Sequence, residues 1–246
     1  MQKTQCLEFR PPVRNRYYYG KMLDVVHFET EQGYFNFKRS LINRSVIGIG
    51  VVCGLDVQLN QENNTLTVTP GLAIDYWGRE VVVAAPSKPL PVPEYRASPT
   101  GERCDDGHSQ LWICYHECCT DPEPALANAC GGSTCVPSFV RERYELVLRD
   151  GRLKPPEESV SLAEIITGGN IDRRALARHV ANACPGLPHD ACIPLAAIRV
   201  PAPGKEGQVD VDISVRPIVY TNDLLYALIK AVLGVQNNRQ PSGKAY

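Results

Sequence analysis

The stretch that most constrains how this chain can fold runs from Val51 to Ala85, where apolar and polar residues alternate with a two-residue period. Val51, Cys53, Leu55, Val57 and Leu59 share one parity, and Asp56, Gln58 and Asn60 the other, which is the pattern of a half-buried strand. Leu66 and Val68 keep the alternation beyond the polar turn at 60–64, against Thr65, Thr67 and Thr69, and predict a hairpin. Pro70-Gly71 then punctuates the chain. Residues 72–75 and 80–85 form a second predicted pair around Tyr76-Trp77-Gly78-Arg79, with Gly78 best suited to a positive φ. This block is the expected organising sheet, and it carries no obvious catalytic set.

Composition narrows the function classes. The 246 residues suffice to bury a core, and 26 Lys plus Arg against 27 Asp plus Glu leave no global field for nucleic acid or an anionic membrane. No apolar run approaches the roughly 20 residues of a membrane span, and residues 1–5 are not followed by an apolar core, so synthesis and assembly in the cytoplasm are expected. Twenty Pro and nineteen Gly between the periodic segments predict many turns and more strand than helix.

The expected fold class is β-rich α+β, with antiparallel hairpins forming a sheet or sandwich. Asp24 caps a predicted helix over about 24–43, in which Phe28, Phe35 and Ile42 recur every seven residues and Leu41 joins them. That helix is expected to lie across a sheet face, with Gly33 weakening it by about 1 kcal/mol relative to Ala. Residues 110–118 and 140–149 read as antiparallel partners joined by a long loop from Cys119 to Ser138. A capping box at Ser161–Glu164 predicts a short helix ended by Gly168-Gly169, and Asp172 to Ala183 another. Residues 193–200 and 208–215 form a further hairpin, and Thr221 caps a final helix over about 222–234 with Leu224, Leu225, Leu228, Ile229 and Val232 in one stripe. The expected organisation is a module at 1–86, a Pro-rich connection at 87–109, a second β-rich part at 110–235, either separate from the first or one domain with it, and a flexible tail at 236–246.

Ten cysteines invite a chemical reading, and Cys114, Cys118, Cys119, Cys130 and Cys135 crowd one region with His116. A thiolate metal site, stapling disulfides and free thiols are all open to them, and Cys184 and Cys192 bracket another loop with the same choices. The absence of a leader favours thiols or metal. Cys53, on the apolar parity, reads as a buried structural thiol. Asp56, Asp75 and Glu80 form a conceivable acid/base set, or solvated turn residues. His27, His108, His116, His179 and His189 are scattered, and no nucleophile elbow, zinc motif or phosphate-binding glycine loop is present. The aromatic lead-in Tyr17-Tyr18-Tyr19 with Arg10, Arg14 and Arg16 either packs on the sheet or meets a partner. No catalytic, cofactor-binding or metal-ligating residue is therefore assigned, no cofactor is expected, and the chain is read as a non-enzyme.

Several segments carry a resemblance: Tyr17-Tyr18-Tyr19-Gly20-Lys21-Met22-Leu23, Gly48-Ile49-Gly50-Val51-Val52-Cys53-Gly54-Leu55, Val68-Thr69-Pro70-Gly71-Leu72-Ala73-Ile74-Asp75 through Gly78-Arg79-Glu80, and later Arg141–Leu146, Leu195–Ile198 and Thr221–Leu225. On these the chain resembles a bacterial family encountered among the genes of phage-tail-like contractile injection systems, and by analogy its strand blocks also look like modules in tail-fibre and baseplate proteins. The resemblance implies a structural or adaptor component that binds other protein subunits in several copies. It supplies no functional residues. Alternatives are a small metal- or thiol-dependent enzyme using the loop from Cys114 to Cys135, and a glycan-binding β-module in which Tyr76, Trp77 and Trp112 stack on sugars.

Overall fold

The computed structural model describes residues 11–96, 107–124, 135–153, 165–167, 170–181, 186–205 and 207–237. Strands β1 (Gly50–Gly54), β2 (Val57–Asn60), β3 (Thr65–Val68), β4 (Gly71–Ile74), β5 (Glu80–Val83) and β6 (Leu90–Pro91) precede two long strands, β7 (His108–Pro124) and β8 (Cys135–Asp150). A two-residue pair, β9 (Ile166–Thr167) and β10 (Asn170–Ile171), is followed by β11 (Ile193–Arg199) and β12 (Asp210–Asp212). The α-helices are α1 (Val25–Ile42), α2 (Arg173–Val180) and α3 (Asn222–Asn237). The class is β-rich α+β, and every pairing between these strands is antiparallel.

The expected single sheet is divided in two. The orders are β1-β4-β5 and β2-β3-β6, with a four-stranded sheet β12-β11-β7-β8 beside them. The predicted hairpins form: Val57 pairs with Val68 and Asn60 with Thr65, and Gly71 pairs with Val83 and Ile74 with Glu80. The unbroken alternation from Val51 to Leu59 is not one strand. A bulge between Val51 and Cys53 shifts the register against β4, and Leu55 takes φ 55° before β2 begins. Buried Arg216 donates from Nη1 to the Leu55 carbonyl at 3.0 Å, which holds this strained crossing between sheets.

All three larger sheets share one core. Leu55, Leu66, Val68, Val81 and Val83 pack with Leu111, Ile113, Ile193, Leu195 and Ile198, so the apolar parity of 110–118 is buried as expected. Fully burying each such side chain contributes about 1.5–3 kcal/mol. Within the predicted loop from Cys119 to Ser138, the described residues 119–124 and 135–138 are strand, because the β7–β8 ladder continues through Thr120↔Phe139 to Pro124↔Cys135. The capping box at Ser161 lies outside the described residues, as does the tail beyond Asn237. Asp172 caps α2 through bonds from the Arg174 and Ala175 amides, and Thr221 Oγ1 accepts from Leu224 N at 3.3 Å.

Helix α1 departs most from expectation. Asp24 and His27 cap it reciprocally, yet Phe28, Phe35 and Ile42 are exposed rather than packed on a sheet. The helix attaches through its C-terminal end instead. Asn43 Nδ2 donates to the Gly78 carbonyl at 2.9 Å and to Glu80 at 2.7 Å, and Arg39 pairs with Glu80. Gly78 has φ +84°, and a Cβ there would stand 2.1 Å from the Ser40 carbonyl oxygen. Gly78→Ala is therefore expected to lower the unfolding free energy by about 2 kcal/mol or more, measured by urea denaturation, through backbone strain and displacement of the helix end.

Candidate functional site

The turn Asp75–Arg79 joins four parts of the molecule. Asp75 is fully buried, and its Oδ1 accepts the backbone N–H of Trp77 at 2.9 Å and of Arg79 at 2.8 Å. Its Oδ2 accepts from Arg79 Nε at 2.7 Å. Burial pushes this carboxyl above its ordinary range, against the pull of the Arg79 charge and these hydrogen bonds. Arg79 in turn lies between aromatic rings, 4.7 Å from the centre of Trp77 and 4.4 Å from that of Tyr115 on β7.

A strap over Leu187–Cys192 covers the outer side of this turn. The Tyr76 amide donates to the Ala191 carbonyl at 3.1 Å, and the Trp77 indole to the Pro188 carbonyl at 2.9 Å. Asp190 accepts from Arg149, which stacks on Trp112 at 4.3 Å, and from the Cys192 amide at 3.0 Å. Cys192 is bonded to Cys114, a loop with a sequence separation of 78. The pairing of Ile193 with Ile113 sets these two cysteines side by side. Neither cysteine is thus a metal ligand here, and the expected preference for thiols or metal gives way at this pair to a disulfide.

The other candidate residues are not brought together. Glu80 is engaged by Asn43 and Arg39, Asp75 by Arg79, and Asp56 is exposed, so the imagined carboxylate set is dispersed into structural roles. Cys53 is exposed rather than buried, because the bulge at Val52 turns it off the core side. Cys118, Cys119 and Cys135 are free thiols along the outer hairpin, and Cys130 and Cys184 lie outside the described residues. Among the described residues no group of three or more His, Cys, Asp or Glu side chains is arranged to hold a metal ion. His27 caps α1, and His116, His179 and His189 are exposed. Trp77 and Trp112 each already stack on an arginine and donate their indole N–H internally, the latter to Gln110 at 2.8 Å, so they form no open sugar platform.

What the structure leaves open is apolar. Tyr17, Tyr18 and Tyr19 are exposed rather than packed on the sheet, as are Val25, Phe28, Phe35 and Ile42 along one side of α1 and Val46 after it. Every residue of α3 from Asn222 to Val232 is exposed, including the five-residue apolar stripe. Sequence periodicity located these stripes and did not show that the chain itself leaves them uncovered. No helix is long and apolar enough to cross a membrane among the described residues.

No protein-family model and no curated protein matches the chain. Among solved structures it is similar to one described as the crystal structure of TssK, with a TM-score of 0.44 and 13% identity over 93% of this chain and 50% of that one. It is also similar to a chain of the baseplate complex from the type VI secretion system, with a TM-score of 0.42 and 11% identity over 96% of this chain and 72% of that one. The chain spans half the length of the first.

Two outcomes follow from the turn and its strap. Asp75→Ala strands the Arg79 guanidinium and two backbone N–H groups, and is expected to cost about 3–5 kcal/mol by urea denaturation. Burial acts to raise the Asp190 carboxyl, but the Arg149 hydrogen bond, the Cys192 amide and the Arg149 and His189 charges outweigh it and hold it below its ordinary 3.8. A depressed folded-state pKa contributes stability that is present above 3.8 and lost as pH falls through the folded value. Acid below pH 3.8 is accordingly expected to loosen the strap and shift Trp77 fluorescence, and Asp190→Asn to abolish that transition.

Proposed function

We propose that this chain is a structural adaptor subunit of a contractile injection particle, at a baseplate, fibre or accessory position, acting by binding other protein subunits. One observation carries the reading: α1 and α3 present apolar stripes that no part of the described chain covers, with Phe35 61%, Ile229 56% and Val232 58% exposed. A helix with so wide an apolar side is stable in water when another surface covers it. The sequence resemblance supplies the class of particle, and the β body anchors the C-terminal end of α1 and the segment that leads into α3. Assembly in the cytoplasm before any release of the particle belongs to the same proposal.

The experiment is co-purification of the tagged chain with assembled particles. Ile229→Glu with Val232→Glu is expected to reduce recovery with particles at least about tenfold, since two buried apolar side chains contribute about 3 kcal/mol or more. The circular dichroism spectrum is expected to stay unchanged, because both residues are exposed in the free chain. Wild-type protein that never associates with particles would remove the assignment.

A further inference from the structure

Strand β8 is the edge of its sheet, in the order β12-β11-β7-β8, and it is 16 residues long. Its outward N–H and C=O groups form an open row, the arrangement that templates pairing with another strand. The core also ends raggedly there. Leu111 and Ile113 on β7 are fully buried, whereas their cross-strand partners Leu148 and Leu146 stay half-exposed. Beside them a groove of about 630 Å³ runs between residues 142–146 and a wall that includes exposed Val82, Lys88 and half-buried Leu90.

Natural edge strands of this length are usually blunted by charge, and β8 carries Arg141, Glu142, Arg143 and Glu145. Those charges do not exclude a second copy of the same strand. An antiparallel two-fold pairing that keeps both core faces on one side of the sheet centres on a residue, because paired residues must share a face. Centring on Glu142, Arg143 or Glu145 sets that charge against itself. Centring on Tyr144 sets Arg143 against Glu145 twice, Tyr144 against Tyr144, and Glu142 against Leu146. Within the chain, Arg143 and Glu145 face His116 and Cys114 across the ladder, and neither takes part in an ion pair among the described residues.

From this self-complementary row of charges on an open edge we infer that two copies of the chain pair antiparallel through β8, about a two-fold axis at Tyr144, to make one continuous eight-stranded sheet. The contact is isologous, so it closes at the dimer. The groove leaves room beside Leu146 for the incoming side chains, and Lys88 lies on its wall. The inference concerns the isolated chain and stands apart from any place in a particle.

Sedimentation analysis of the full chain tests it. The wild type is expected to reach twice the chain mass of 27.1 kDa in the micromolar range. Arg143→Glu or Glu145→Arg alone opposes like charges at two places and is expected to move the monomer–dimer midpoint to roughly tenfold higher concentration. The double variant Arg143→Glu/Glu145→Arg is expected to recover the wild-type midpoint, and mixing the two single variants to give heterodimers by native mass spectrometry. Both residues are exposed, and unchanged circular dichroism of each variant will confirm folding. A wild type that stays monomeric throughout, or a dimer indifferent to both single reversals, would overturn the inference.

Discussion

A single buried carboxylate organises the junction of this molecule. Asp75 accepts three N–H bonds within one tight turn, and so fixes where Tyr76, Trp77, Gly78 and Arg79 point. Between them those four hold three neighbours: the strap by Tyr76 and Trp77, the end of α1 by Gly78, and β7 by Arg79 through Tyr115. An ionised group without solvent is costly unless fully hydrogen-bonded, and here the donors are the turn's own. The turn is a joint between parts, and its residues are too engaged to serve as a free docking loop.

Around that joint the three sheets are joined by apolar packing and by chain crossings. The bulge at Val52 and the positive φ at Leu55 let the one segment from Gly50 to Asn60 serve two sheets. Arg216 secures the crossing from the far end of the chain, where burial also lowers the guanidinium's ordinary pKa. Val51 is likewise held by Pro217 and Val219, so the residues leading into α3 are anchored to the first strand. The last helix therefore leaves the body from a fixed point although its own surface is bare.

Much of this was legible in the residues, and the failures have physical causes. Hairpins β2–β3 and β4–β5 and the β7–β8 pairing followed from alternation and turn chemistry, and Asp24 and Thr221 from capping, because these signals are local. The division of the first sheet was not legible, since a bulge and one left-handed leucine leave the hydrophobic pattern unaltered. Cys53 moved to the surface for the same reason. The bond between Cys114 and Cys192 depends on how β11 lies on β7, a register that neither segment encodes alone. Phe28, Phe35 and Ile42 show the remaining limit: a seven-residue period says which side of a helix is apolar, and only the fold says whether anything in the chain reaches it.

The contrast between the two ends of β8 bears on how such a protein avoids indiscriminate association. Near Leu146 and Leu148 the strand still leans on the shared core, whereas beyond Arg143 it is paired with β7 alone, since β11 ends its pairing with β7 at Ile113. A two-stranded ribbon is marginal in water without further cover. Arg141 bridges to Asp121 and Thr120 across this ribbon and steadies it from within. Its charges therefore divide by task, with Arg141 spent inside the hairpin and Arg143 and Glu145 left facing outward in opposite sign. Charges that match their own sequence about Tyr144 would let such an edge convert an aggregation hazard into a selective contact.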